Sequence, residues 1–218
     1  MDWTSIKNII DSRDNEAINR LLLEKAFWTL PFKLILKTGN RLRKSGEFAK
    51  ALWLLELLHG QTRDLNNEDW IDSAFLKSAI LMDQKNYREA VISYTSILNR
   101  KEIDIAYNNR GLAYWELKQY HRALNDYRAA IRLNPKNVTA QRGAGDMCRL
   151  LDYEEEALDY FKSAIKLNPK YADAYRGAGI ILFRLDRFDE SKWYLLEALK
   201  LDPSDELARE GLNRIRSA

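Results

Sequence analysis

Between residues 104 and 134 the apolar positions fall on two separate stripes. Tyr107, Leu112, Tyr114 and Leu117 form the first. Ala123, Leu124, Tyr127, Ala130, Ile131 and Leu133 form the second. Both follow the three-to-four-residue spacing of a helix with one buried face. Lys118-Gln119 separates them as a short polar turn. Asn134-Pro135 ends the second stripe, because a residue before proline is steered out of the α region. The pattern predicts a helical hairpin, with Gly111 and Ala123 small enough to let its two helices approach closely.

The hairpin recurs. Pro135, Pro169 and Pro203 stand 34 residues apart, as do Gly111, Gly145 and Gly179. Ala130, Ala164 and Ala198 keep the same step, and so do Leu133, Leu167 and Leu201. Tyr127, Phe161 and Leu195 fill one bulky apolar column, while Ala123, Ala157 and Ser191 fill one small column. A fixed period of this length is the signature of a repeat array, in which stacked units bury a continuous core. The columns Tyr107, Gly111, Tyr114, Tyr120, Ala123, Tyr127, Ala130 and Pro135 resemble the tetratricopeptide repeat (TPR), a helix-turn-helix unit of that length. The resemblance implies an all-α fold, a right-handed α-solenoid of such repeats with capping helices at both ends.

The columns set expected boundaries. Repeats are placed at 104–137, 138–171 and 172–205, with an earlier one at 71–103 carried by Leu81, Tyr87, Ala90, Tyr94 and Ile97. A divergent first repeat at 32–65 is carried by Gly39, Leu42, Phe48, Ala51, Leu55 and Leu58. The polar stretch 61–70 is read as a long connector, of which 66–70 lies between the first two repeats. In the fourth repeat Tyr153 stands four residues before Ala157, where its counterparts stand three before theirs, so the turn there is expected to slide by one residue. Residues 206–218, with Leu207, Ala208, Leu212 and Ile215 on one stripe, are expected to form a C-terminal capping helix. Residues 1–31 are expected to supply an N-terminal helical cap packed on Ala51 to Leu58.

Composition narrows the chemistry. Pro 4 and Gly 9 are fewer than the roughly 11 and about 15 of an average chain this long, which argues against turn-rich β folds. Cys 1 and His 2 exclude a disulfide framework and the commoner metal sites, so no cofactor or metal is expected. A net charge of +3, spread along the chain, gives no nucleic-acid footprint. The longest apolar runs are far short of a bilayer span, and no apolar leader follows Asp2, so a cytoplasmic protein without membrane insertion is expected. Gly143-Ala144-Gly145 and Gly177-Ala178-Gly179 lie inside helices at the repeat period and are read as packing glycines, not a phosphate loop. Cys148 occupies a packing column and is read as an inert buried thiol. Glu154-Glu155-Glu156 are read as a solvated turn, and His121 as an exposed polar residue at the start of a second helix. No catalytic constellation assembles, and the chain is expected not to be an enzyme.

The resemblance also implies a binding surface, since the first helix of each TPR lines a concave groove that holds partner segments. Carried over column by column, the candidate partner-binding residues are Phe75, Met82, Asn108, Leu112, Trp115, Arg142, Arg149, Arg176, Phe183 and Arg184. The aromatics are hot-spot material, and the four arginines suit a partner segment, extended or helical, of acidic character. The carboxylate clamp of Hsp70/Hsp90 co-chaperones needs basic residues in columns that here hold Phe75, Thr139 and Gly143, or Asn108, Asp173 and Gly177. No EEVD-tail binding is therefore expected. The leading expectation is a non-catalytic scaffold or adaptor for another protein. The alternatives are a cytoplasmic chaperone for a secreted or assembly-prone substrate, and a module that self-associates through the N-terminal helices, where Leu21 to Leu23, Trp28 and Trp53 are the motivating residues.

Overall fold

A computed structural model describes residues 32–60 and 67–217, so the expected N-terminal cap at 1–31 lies outside the described residues. Among those described the chain is all-α, with α1 at Phe32–Lys44, α2 at Phe48–Gly60, α3 at Asn67–Asp83, α4 at Tyr87–Leu98, α5 at Asp104–Glu116 and α6 at Tyr120–Leu133. They continue with α7 at Val138–Leu150, α8 at Glu154–Leu167, α9 at Ala172–Arg184, α10 at Phe188–Leu201 and α11 at Glu206–Ser217. The described residues divide into two compact units, one ending at Ile80 and one beginning at Leu81.

In the first unit α1 packs on α2 around Ile35, Leu42, Ala51, Leu54 and Leu55, with Leu76 and Ile80 joining the cluster. Gly46 turns the chain between the two helices at φ +79°. The amide of Glu47 reaches back to the Leu42 carbonyl at 2.8 Å and that of Gly46 to Arg43 at 3.0 Å, satisfying carbonyls the helix end leaves open. Asn67 to Trp70, expected as connector, are instead the first turn of α3. Glu68 and Asp69 sit in that turn, where carboxylates favour the positive end of the helix dipole.

The second unit repeats one packing device three times. The Tyr127 ring lies between Gly111 and Gly143, the Phe161 ring between Gly145 and Gly177, and the Leu195 side chain between Gly179 and Gly211. A Cβ added at Gly143 would stand 2.7 Å from Tyr127, and one at Gly177 would stand 2.5 Å from Phe161. Each bulky residue of a second helix is thus wedged between the glycine of its own first helix and the glycine of the next. Only the missing Cβ atoms make room for it. These paired glycines are packing elements buried inside α7 and α9.

The turns keep equally strict time. Lys85, Lys118, Asp152 and Asp186 all have φ between 56° and 59°, one left-handed residue per helix pair. Asp152 stands 34 residues after Lys118 and 34 before Asp186, so the turn of the fourth pair is not slid. The register shift lies in the aromatic alone: Tyr153 takes the position of Gln119 and Arg187, outside the helix, and Glu154 starts α8. An exposed side chain there leaves the backbone free to keep its period.

Polar ties link neighbouring pairs. Arg110 grips Asp126 with two hydrogen bonds of 2.7 and 2.8 Å and donates a third to Thr95 Oγ1 at 2.9 Å, all nearly buried. Removing either charged partner would strand the other in the interior. Asn137 and Asp205 cap α7 and α11 by accepting from the amides of Ala140 and Ala208. The last helix packs on α9 and α10 through Ala208, with Leu212 and Ile215 at its margin.

Candidate protein-interaction surface

Within residues 81–218, each second helix packs between two first helices: α6 on α5 and α7, α8 on α7 and α9, α10 on α9 and α11. The first helices also pack on one another, α5 on α7, α7 on α9 and α9 on α11. Second helices do not match this closeness among the described residues. Helices that approach more closely on one side curve the stack toward that side. The open flank of α5, α7, α9 and α11 is therefore the concave one.

Asn108, Leu112, Trp115, Arg142, Arg149, Arg176, Phe183 and Arg184 all lie on these helices. Met82 lies on the last turn of α3, in the same unit, whereas Phe75 belongs to the unit before it. Trp115 is 40% exposed on α5. Asn108 donates to Asn109 at 3.2 Å, and its Oδ1 is buried. Phe183 meets Phe188 edge-on, with ring centres 5.5 Å apart.

The four arginines are not free cations. Arg142 bridges Asp146 and the Tyr171 hydroxyl, and Arg149 approaches the other oxygen of Asp146 at 3.7 Å. Arg176 is held between Asp173 at 2.6 Å and the buried Asp205 at 2.8 Å, so it fastens α9 to the N-cap of α11. Arg184 pairs with Asp152 and Glu154 and donates to the Arg149 carbonyl at 2.9 Å. The flank is lined by cations, but each already has a carboxylate from the chain itself. A ligand carboxylate must compete with these.

At the C-terminal end lies a cleft of about 170 Å³ lined by Ile180, Phe183, Leu195, Leu207, Glu210, Gly211 and Arg214. Leu207 is 57% exposed there. Four of its residues come from α11, read from sequence only as a cap. The missed signal was the period itself. Leu207, Glu210, Gly211 and Arg214 stand 34 residues after Asp173, Arg176, Gly177 and Ile180. The final helix repeats the groove columns of a first helix and lengthens the surface by one step.

The remaining candidates have packing or surface roles. Cys148 is fully buried, and burial pushes its thiol up to about 12, far from a reactive thiolate. Glu154, Glu155 and Glu156 occupy the first turn of α8, and Glu156 pairs with Arg128 while Glu154 faces Arg184. His121 is exposed beside Lys118 and Arg122 on an open surface depression. Among the described residues no group of His, Cys, Asp and Glu is placed to hold a metal ion, and no helix is long and apolar enough to cross a membrane.

Stacked helix pairs with a 34-residue period, small residues at the helix contacts and an open first-helix flank define a TPR array. Family models described as tetratricopeptide repeat match residues 105–137 and 154–215. Over these residues the chain is a tetratricopeptide-repeat array. It is similar to tetratricopeptide repeat protein 4 of Bos taurus, 38% identical over 78 residues that make up 33% of this chain and 20% of the relative. It is also similar to sperm-associated antigen 1 of Mus musculus, 44% identical over 55 residues, 25% of this chain and 6% of the relative. The chain thus spans a fifth or less of these curated relatives. Among solved structures, YrrB is 20% identical with a TM-score of 0.68, covering 82% of this chain and 90% of that one. A TPR protein from Parabacteroides merdae is 23% identical with a TM-score of 0.71, covering 85% and 72%. These structures share the fold, an all-α solenoid. It is a fold of protein–protein interaction scaffolds and typically a non-catalytic one.

Proposed function

We propose that the chain is a non-catalytic adaptor that holds a segment of a partner protein along the concave flank of α5, α7, α9 and α11. The observation that carries this is the cleft between α9 and α11, where Ile180, Phe183 and Leu207 surround a space suited to one apolar side chain. Trp115, exposed at the other end of the flank, supplies a second apolar contact. The YrrB structure is described as having an unusual peptide-binding site, which supports a segment-in-groove mode for the same fold. Carboxylates in the segment would exchange with Asp146, Asp152 or Asp173 at the arginines, so acidic character tunes register while apolar side chains supply most of the affinity. The first TPR of Spaghetti was solved with an HSP90 peptide, but here the clamp columns lack the cations, and no EEVD peptide is expected to bind.

Arg176 is a poor probe of this surface because its loss would also release Asp205 and the cap. Leu207→Asp is cleaner, since the side chain is exposed and the fold does not need it. Crosslinked capture from the native cell with wild type and with Leu207→Asp is expected to lose one partner set in the variant, with melting unchanged. An unchanged partner set would overturn the proposal.

A further inference from the structure

Across α6 to α10 the second unit has a basic loop edge and, opposite it, a turn edge on which exposed acids outnumber exposed arginines. Each first helix runs from one edge to the other and each second helix returns, so the α4–α5, α6–α7 and α8–α9 loops share one edge. Hydrogen bonds lace these loops side by side: Asp104 accepts from Asn134 at 2.9 Å and Asn137 at 3.2 Å, and Arg142 reaches Tyr171. On this loop edge stand Arg100 and Lys101, Arg132 and Lys136, then Lys166 and Lys170, all exposed. Arg132, Lys136, Lys166 and Lys170 form no ion pair among the described residues, although the second helices nearby carry several acids. Arg132 and Lys166, like Lys136 and Lys170, are one 34-residue period apart.

The opposite edge carries the α7–α8 and α9–α10 turns, joined by Arg184 to Asp152 and to the Arg149 carbonyl. Glu155, Asp186 and Asp189 are exposed on it, and Asp152 is 73% exposed. These acids repeat at the same period as the cations on the loop edge. Toward the N-terminus the turn edge changes sign, with Lys118 and Arg122 at the α5–α6 turn.

We infer that the loop edge of one copy docks on the acidic turn edge of a second copy. The two rows share one repeat pitch, so the loops at Pro135 and Pro169 can face the turns at Asp152 and Asp186 as a matched pair. A slip by one repeat toward the N-terminus places Lys136 over Lys118, which penalises the wrong register. The two docking surfaces differ, so the contact is heterologous, and copies add head to tail. The contact is polar, narrow and screened by salt, which makes the association weak and concentration-dependent. A nucleic acid or anionic membrane would satisfy the loop edge alone, whereas a second copy also satisfies the acidic edge. This surface lies apart from the concave flank and does not depend on the adaptor reading.

Sedimentation velocity of the full chain, up to several hundred micromolar, decides between these outcomes. At low salt the average mass is expected to rise with concentration, and about 0.5 M salt is expected to weaken association about tenfold or more. A loop-edge variant, Arg132→Glu with Lys136→Glu, Lys166→Glu and Lys170→Glu, is expected to be monomeric. So is a turn-edge variant, Glu155→Lys with Asp186→Lys and Asp189→Lys. Mixed together, the two should associate again, because each supplies the charge the other needs. A monomeric wild type at low salt, association indifferent to salt, or a mixture that stays monomeric would each overturn the proposal. So would a wild type that stays monomeric while binding anionic vesicles or RNA. Should a variant fail to fold, the wild-type salt series alone still either supports the proposal or overturns it.

Discussion

The helix pair α1–α2 and the pairs that follow residue 104 build the same hairpin from different parts. In the later pairs a Tyr, Phe or Leu is wedged between two glycines, and the contact admits no extra atom. In the first pair Gly39 occupies the equivalent position. A Cβ there would meet only the terminal Cδ2 of Leu76 at 2.9 Å, with Leu54 at 3.8 Å. Its core is an ordinary cluster of leucines and isoleucines. The turns differ in the reverse sense: the first pair uses Gly46 at positive φ, and the later ones place Lys or Asp there. The repeat geometry therefore does not require one set of residues. It requires a tight contact or an adaptable one, and only the tight one writes a strict period into the sequence.

Substituting the glycines separates the two. Gly177→Ala drives a methyl into the Phe161 ring, and a loss of about 1–3 kcal/mol is expected. Gly39→Ala meets only the flexible end of Leu76 and gains helix propensity of up to about 1 kcal/mol, so the net change should stay within about 0.5 kcal/mol. Urea denaturation of both variants measures the contrast, and equal losses would erase it. A smaller effect is expected at the turns. Gly46→Ala should cost about 1 kcal/mol, because a side chain is strained in its left-handed backbone, while Lys118→Gly, which relieves the same strain, should leave stability unchanged or raise it by up to about 1 kcal/mol. Thermal melts are sensitive enough to see both signs.

That contrast also explains what could be read from the sequence. Pro135, Pro169 and Pro203 follow helices that end at Leu133, Leu167 and Leu201, and the glycine columns coincide with the wedges. Both were legible because a steric limit fixes the residue type. The start of α3 was misplaced because Asn67 to Trp70 look polar, and polarity cannot distinguish a charged first helical turn from a loop. Tyr153 suggests a slid turn only if the aromatic marks the register, whereas the left-handed residue is what keeps the period. At the candidate surface the columns place the side chains on first helices, but the pairing of each arginine is invisible in the sequence. Arg176 and Asp205 are distant in sequence and meet only because α11 stacks on α9. For the same reason the cleft was missed: it needs α11 to be read as a further first helix.

Whether the concave first-helix flank holds the partner can be asked directly by photocrosslinking. A photoreactive residue is placed at Phe183, at Leu207 or, on the second helix α10, at the 52% exposed Trp193. Partner adducts are expected from positions 183 and 207 and none from 193. Adducts from 193 alone would contradict a partner held on the concave flank.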